Sequence, residues 1–165
     1  MFHWFAYNSA RTGFSIGFHD GAGGLRLVNT DEPTAIGGSR LAIGDFNGDG
    51  LPDLVGSSVA EAVVWINNGA GRFTPQPGSP INVTPYSFLH AGVADFNLDG
   101  KPDIALAGYA GSYLEPNPVL TVGLNTGGAF SFDIAAGLVS DHNMLDAGDF
   151  NGDRRPTSSS TLSCY

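Results

Sequence analysis

The sequence predicts an all-β fold built from stacked, four-stranded antiparallel units, and three observations predict it. The tripeptide Asp-Phe-Asn recurs at residues 45, 95 and 149, at offsets of 50 and 54 residues. Apolar residues fall in short runs of strand length rather than in helical stripes. The 165 residues include 24 Gly and 10 Pro, and these punctuate the runs as turns between strands require.

The elements follow in order. Residues 2–7 are apolar and aromatic enough for a strand. Residues 14–19 alternate with period two, the glycine-rich stretch 20–24 turns the chain, and 25–28 return. Residues 29–39 read as a loop. A short strand at 41–44 enters the first Asp-Phe-Asn segment, and a second at 53–57 leaves it. Residues 62–67 make a third strand, 68–71 a turn, and 72–74 begin a fourth. The proline-rich stretch 75–85 reads as a bridge, after which the order starts again. Strands are expected at 91–94 and 103–107, an insertion at 108–118, a third strand at 119–125, a turn at 126–128 and a closing strand at 129–132. Residues 145–148 lead into the third segment.

These elements give units over about 2–28, 41–83 and 91–135, with another starting at 145 and a polar tail at 154–165 that is expected to be disordered. A unit of about 50 residues cannot bury its own apolar faces, so neighbours must stack. Radial stacking of four-stranded sheets gives a β-propeller, here a partial one of about three blades' worth. The chain therefore reads as a fragment of a larger propeller or a truncated product. An association of two copies that supplies six blades is an alternative.

Chemistry concentrates in the repeated segments. In the first, Asp45, Asn47, Asp49 and Asp53 fall at positions 1, 3, 5 and 9, with Gly50 at position 6. In the second, Asp95, Asn97, Asp99 and Asp103 repeat that spacing, with Gly100 at position 6. This is the opening of the calcium-loop pattern, in which short oxygen-bearing side chains and one backbone carbonyl converge on a hard cation. Asx turns alone would explain the Asp-Gly and Asn-Gly pairs, but a mere turn has no need of the ninth-position acid. The third start supplies Asp149, Asn151 and Asp153, but Arg154 and Thr157 stand where the pattern needs Gly and Asp. A full-strength site is not expected there. Phe46, Phe96 and Phe150, at position 2, are expected to wedge between adjacent units.

Net charge is -9, and eight of the sixteen acids lie in these segments, so part of it reads as ligand charge awaiting Ca2+. Seven scattered Lys and Arg give no surface that tracks phosphates, which argues against nucleic acid. Neither a signal peptide nor a membrane-inserting span is read in the chain, and the lone Cys164 allows no internal disulfide. Position 12 holds Gly56 and Leu106 rather than the bidentate Glu of high-affinity cytosolic loops. Weak structural sites that fill at extracellular calcium levels, in a secreted or cell-surface parent, are the expectation.

The stretch Asp45-Phe46-Asn47-Gly48-Asp49-Gly50-Leu51-Pro52-Asp53-Leu54, the run from Val63 to Phe73 and their recurrence resemble the FG-GAP/VCBS repeats of bacterial surface and secreted proteins. These in turn are similar to the calcium-binding blades of the integrin α-subunit propeller. The resemblance covers residues 14–153. It implies propeller blades with calcium in hairpin loops on one rim, the carbonyls of Leu51 and Lys101 completing the two ligand sets. It also implies roles in adhesion, in protein or carbohydrate binding, or in scaffolding beside catalytic domains.

No catalytic set competes with this reading. His3, His19, His90 and His142 show no zinc spacing. Ser140, Asp141 and His142 are adjacent but lack a nucleophile elbow. Residues 21–24 lack the Gly-x-Gly-x-x-Gly of a phosphate cradle. Trp65 reads as packing, whereas Tyr109 and Tyr113, in the insertion, are freer to touch a partner. The leading expectation is a non-enzymatic binding or adhesion segment whose partners include the remaining blades or a second copy. The alternatives are a non-catalytic or channel-forming part of a larger lyase or hydrolase, for which Glu61, Glu115 and Asp133 are too scattered to nominate, or a remnant without independent function.

Overall fold

The computed structural model describes residues 15–19, 24–29, 41–110 and 117–135. The expected strands at 2–7 and 145–148, the third Asp-Phe-Asn segment, Tyr113 and the tail lie outside the described residues. Every regular element described is a strand: β1 (Ser15–His19), β2 (Leu25–Asn29), β3 (Leu41–Gly44), β4 (Asp53–Asn67), β5 (Phe73–Pro75), β6 (Ile81–Ala94), β7 (Asp103–Ala110), β8 (Asn117–Asn125) and β9 (Phe130–Ala135). Among the described residues no helix is long and apolar enough to cross a membrane.

β1 and β2 form an antiparallel pair that closes with His19 opposite Leu25. The same closing pair recurs as Asn67 opposite Phe73 and as Asn125 opposite Phe130. A glycine-containing stretch follows the first partner each time, and the third connection is one residue shorter than the other two.

The other seven strands join in one hydrogen-bonded path, β3-β4-β6-β7-β8-β9, with β5 on β4. Two of them, β4 and β6, run through stretches that the sequence reads as breaks between strands. β4 runs unbroken over fifteen residues where separate strands at 53–57 and 62–67 are expected. A straight strand of that length would hold its ends about 45 Å apart. Yet the Asn67 N–H donates to Asp53 Oδ1 at 2.8 Å, and Asn67 Nδ2 donates to the Pro52 carbonyl at 3.0 Å. β4 therefore doubles back, and its ladder with β6 slips midway, between Val59 and Glu61. Equivalent bonds, from Asn125 N–H to Asp103 Oδ1 and from Asn125 Nδ2 to the Pro102 carbonyl, link the separate strands β7 and β8. The two arms of β4 lie side by side in the same way.

β6 corrects the expected bridge. Its start pairs with β4, Ile81 opposite Ala62, and its end pairs with β7, Ala94 opposite Asp103. One strand thus finishes one four-stranded layer and opens the next. Val83 is buried in the core, and that burial outweighs the local proline signal. The insertion is likewise shorter than expected, since β7 continues to Ala110 and β8 begins at Asn117.

Side chains alternate as a pleated strand dictates. Val55 and Val64 of β4, Ile104 and Leu106 of β7, and Val119 of β8 share the main core with Phe46. Leu54, Val63, Trp65 and Phe73 cluster on the other face of the first layer. Ala105, Ala107 and Leu120 cluster on the other face of the second. Burying each larger aliphatic or aromatic side chain is worth about 1.5–3 kcal/mol, so the central cluster is the main adhesive between the layers. The result is an all-β, antiparallel architecture of blade-like sheets, none closed into a barrel among the described residues.

Candidate metal centres

The two acidic loops occupy equivalent places, one joining β3 to β4 and the other joining β6 to β7. Asp45 organises the first. Its Oδ1 accepts the N–H groups of Gly48 and Asp49 at 2.8 and 3.0 Å, and its Oδ2 accepts that of Gly50 at 2.8 Å. Three successive N–H groups thus wrap around one carboxylate, a concavity of the kind that holds anions. Asn47 Oδ1 accepts the Asp49 N–H, and Asp49 Oδ1 accepts the Leu51 N–H, two Asx turns in series. The path needs left-handed backbone at Gly48 (φ 77°) and Gly50 (φ 82°), where a Cβ costs energy.

The second loop repeats the construction. Asp95 accepts the N–H groups of Asp99 and Gly100, Asn97 Oδ1 accepts that of Asp99, and Asp99 Oδ1 accepts that of Lys101. Gly100 has φ 86°, and position 4 holds Leu98 at φ 62°. Leu98 is 51% exposed, so its side chain faces away from the loop interior.

The ninth-position acids stand apart from the other three. Asp53 and Asp103 are fully buried. Asp53 Oδ2 accepts the Phe46 N–H at 2.9 Å while Oδ1 accepts the Asn67 N–H. Asp103 does the same with Phe96, at 2.8 Å, and with Asn125. Asp53 thus pins the start of its loop to the far end of β4, and Asp103 pins the start of its own to the end of β8. Burial pushes the Asp53 carboxyl above its ordinary range, the N–H bonds from Asn67 and Phe46 pull it back, and the charge of Asp49 adds to the rise.

The loops differ at position 7. Lys101 Nζ lies 2.7 Å from Asp99 Oδ2, an ion pair that the first loop, with Leu51, does not have. Hydrogen bonds from the Lys101 side chain, and next from its backbone N–H, hold the Asp99 carboxyl below its usual range. In the first loop Asp49 Oδ2 is met by Asn47 Nδ2 at 2.8 Å; the corresponding contact in the second is 3.3 Å.

Positions 1, 3 and 5 of each loop are thus linked through shared backbone contacts, while position 9 is buried and bonded elsewhere. Among the described residues no three His, Cys, Asp or Glu side chains converge as a metal-holding group. The donor set fits calcium in kind, since every candidate is a carboxylate, amide or carbonyl oxygen. Asp149, Asn151 and Asp153 lie outside the described residues.

Phe46 is the wedge that the sequence suggests. It is buried between the layers, and its ring meets Phe130 edge-on at 5.7 Å and 78°. Phe96 packs partly buried against the Ala105–Ala107–Leu120 cluster. Trp65 is fully buried. Asn67 and Asn125 are the residues that sequence reasoning missed. Each accepts a turn glycine N–H at 2.9 Å, Gly69 or Gly127, while its amide donates to a loop carbonyl. Their recurrence at the end of the third strand of each unit was the available signal.

Comparison with curated proteins gives no match. Residues 45–106 match the FG-GAP-like repeat family, a span that runs from the first acid of the first loop to β7 beyond the second. The chain therefore carries an FG-GAP-like repeat over residues 45–106.

Proposed function

We propose that the chain is a calcium-stabilised segment of a β-propeller, acting as a non-enzymatic binding or adhesion module in a secreted or cell-surface protein. The observation that carries this reading is duplication. Two loops 50 residues apart hold the same oxygen donors on the same hydrogen-bonded turns, inside a stretch that matches an FG-GAP-like repeat. Calcium would be held in the first loop by Asp45, Asn47, Asp49 and Asp53 and the Leu51 carbonyl. In the second it would be held by Asp95, Asn97, Asp99 and Asp103 and the Lys101 carbonyl. The N–H bonds to Asp53 leave a further lone pair on each oxygen; in Asp103 the further lone pair is on Oδ1, because Oδ2 accepts the Asn97 N–H at 3.4 Å as well as that of Phe96. The units at 41–83 and 91–135 would act as blades, with a protein or carbohydrate ligand and further blades, or a second copy, as partners.

Binding at such loops adds stability by mass action, about 1.4 kcal/mol per site at ten times Kd. With Kd on the order of 10⁻⁴–10⁻³ M, millimolar calcium should raise Tm by a few degrees over a chelated sample. Calorimetry of the parent chain against a chain carrying both Asp49→Ala and Asp99→Ala tests this. The double variant should lose the calcium response, and an equal response in the two would overturn the assignment.

A further inference from the structure

We infer that Lys101 is a resident, displaceable cation at the second loop, which makes that loop the weaker of two unequal calcium sites. The inference rests on the calcium reading above and concerns how the two loops divide the ion between them. The ammonium sits 2.7 Å from Asp99 Oδ2, an oxygen of the position-5 carboxylate, and it belongs to the same residue whose carbonyl would be a ligand. A calcium ion that takes Asp99 Oδ2 displaces that ammonium, and one that takes Oδ1 meets its positive charge on the same carboxylate. In the first loop it displaces only the neutral Asn47 amide from Asp49.

Charge count points the same way. The first loop carries three carboxylates, Asp45, Asp49 and Asp53, for a formal charge of -3. The second carries Asp95, Asp99 and Asp103 together with Lys101, for -2. Affinity in loops of this kind follows the charge of the ligand set. The ion pair is part-exposed, at 43% and 33% for its two side chains, so solvent screens it. A surface pair of that sort changes an equilibrium constant by about two- to fivefold, and salt narrows the difference.

The test is a calcium chloride titration of the full ¹⁵N-labelled chain, following the Gly50 and Gly100 amides as separate reporters of the two loops. In the parent chain the Gly50 signal should reach its midpoint at about two- to fivefold lower calcium than the Gly100 signal. Lys101→Gln should bring the Gly100 midpoint toward that of Gly50, and Lys101→Arg should preserve the gap. Both substitutions lie at a part-exposed position and leave every proposed ligand in place. Equal midpoints in the parent chain, or a Gly100 midpoint that Lys101→Gln does not move, would overturn the role of Lys101 while leaving calcium binding intact. Amides that fail to respond to calcium in all three proteins would overturn the calcium reading itself, and this inference with it.

Discussion

Asn125, at the end of β8, donates its side-chain amide to the backbone carbonyl of Phe46, 79 positions earlier, at 3.0 Å. The other amide proton goes to the Pro102 carbonyl at 3.2 Å, and Oδ1 accepts the Gly127 N–H. One buried side chain therefore joins the loop of the first layer, the loop of the second and the hairpin that ends β8. Asn67, its counterpart, reaches its own loop through Pro52. Asn125 makes the equivalent bond and adds the one between layers.

The bond to Phe46 makes a sharp prediction. Asn125→Asp keeps the shape but replaces the donor with an acceptor facing two carbonyls, whereas Asn125→Ala leaves those groups unpaired. Leaving a buried polar group unsatisfied costs about 1–3 kcal/mol, so each variant should lose about 2–4 kcal/mol in urea denaturation. If both unfold within 0.5 kcal/mol of the parent, Asn125 does not tie the layers together.

Phe46 should matter through volume rather than polarity. It is 2% exposed and meets Phe130 edge-on. Phe46→Ala should cost about 3–5 kcal/mol as a large-to-small core change, and Phe46→Leu markedly less. Similar losses for the two would mean that the ring is not packed as described.

Much of this was legible beforehand, for physical reasons. The loops announce themselves because short acids at fixed spacing and glycines at positive φ are local requirements. The strand β3, the start of β7 and the pairing of β1 with β2 follow from alternation and turn chemistry, which are also local. Phe46 could be placed as a wedge because it repeats at position 2. What escaped depends on contacts distant in sequence. The pairing of residues 81–83 with β4 overrides a proline-rich stretch, and the doubled-back β4 shows no break in its strand. The bond from Asn125 to Phe46 exists only once two layers are stacked. Asp53 has the sequence signature of a ligand, yet in the fold both its oxygens accept backbone N–H groups.

Leu98 makes a different kind of prediction. A non-glycine residue at φ 62° carries left-handed strain of about 1–2 kcal/mol. Glycine returns about 0.5–1 kcal/mol of that through its freer unfolded chain. Leu98→Gly should therefore be neutral to stabilising by about 1 kcal/mol, and Leu98→Val, which is β-branched, should be destabilising. A clear loss of stability in Leu98→Gly, measured by thermal melting, would show that the exposed leucine makes a contact that outweighs the strain.

Gly123 tests the packing of the second layer. A Cβ built there would lie 2.6 Å from the Phe132 ring, so one of the two must move. Gly123→Ala should cost about 1–3 kcal/mol through overpacking. Trimming the ring in Gly123→Ala/Phe132→Leu should recover part of that loss, a coupling that a double-mutant cycle reads directly. Strictly additive effects would show that the two positions do not share space.

The two kinds of loop acid should separate when calcium is removed. Asp53 is buried and accepts the Phe46 and Asn67 N–H groups, so it pins loop to strand with or without an ion. Asp53→Asn turns one of those acceptors into a donor facing a donor, at a cost of about 1–3 kcal/mol. The net loss falls toward the lower end, because burial already disfavours the charge that the change removes. Asp49 lies on the exposed side, bonded to Leu51 and Asn47, and Asp49→Asn in chelator should stay within about 0.5 kcal/mol of the parent. With calcium restored, both should fall behind the parent, Asp49→Asn now by the binding energy it has lost. Urea melts in chelator and in millimolar calcium give all four comparisons. An Asp53→Asn chain as stable as the parent in chelator would mean that Asp53 acts only through the ion.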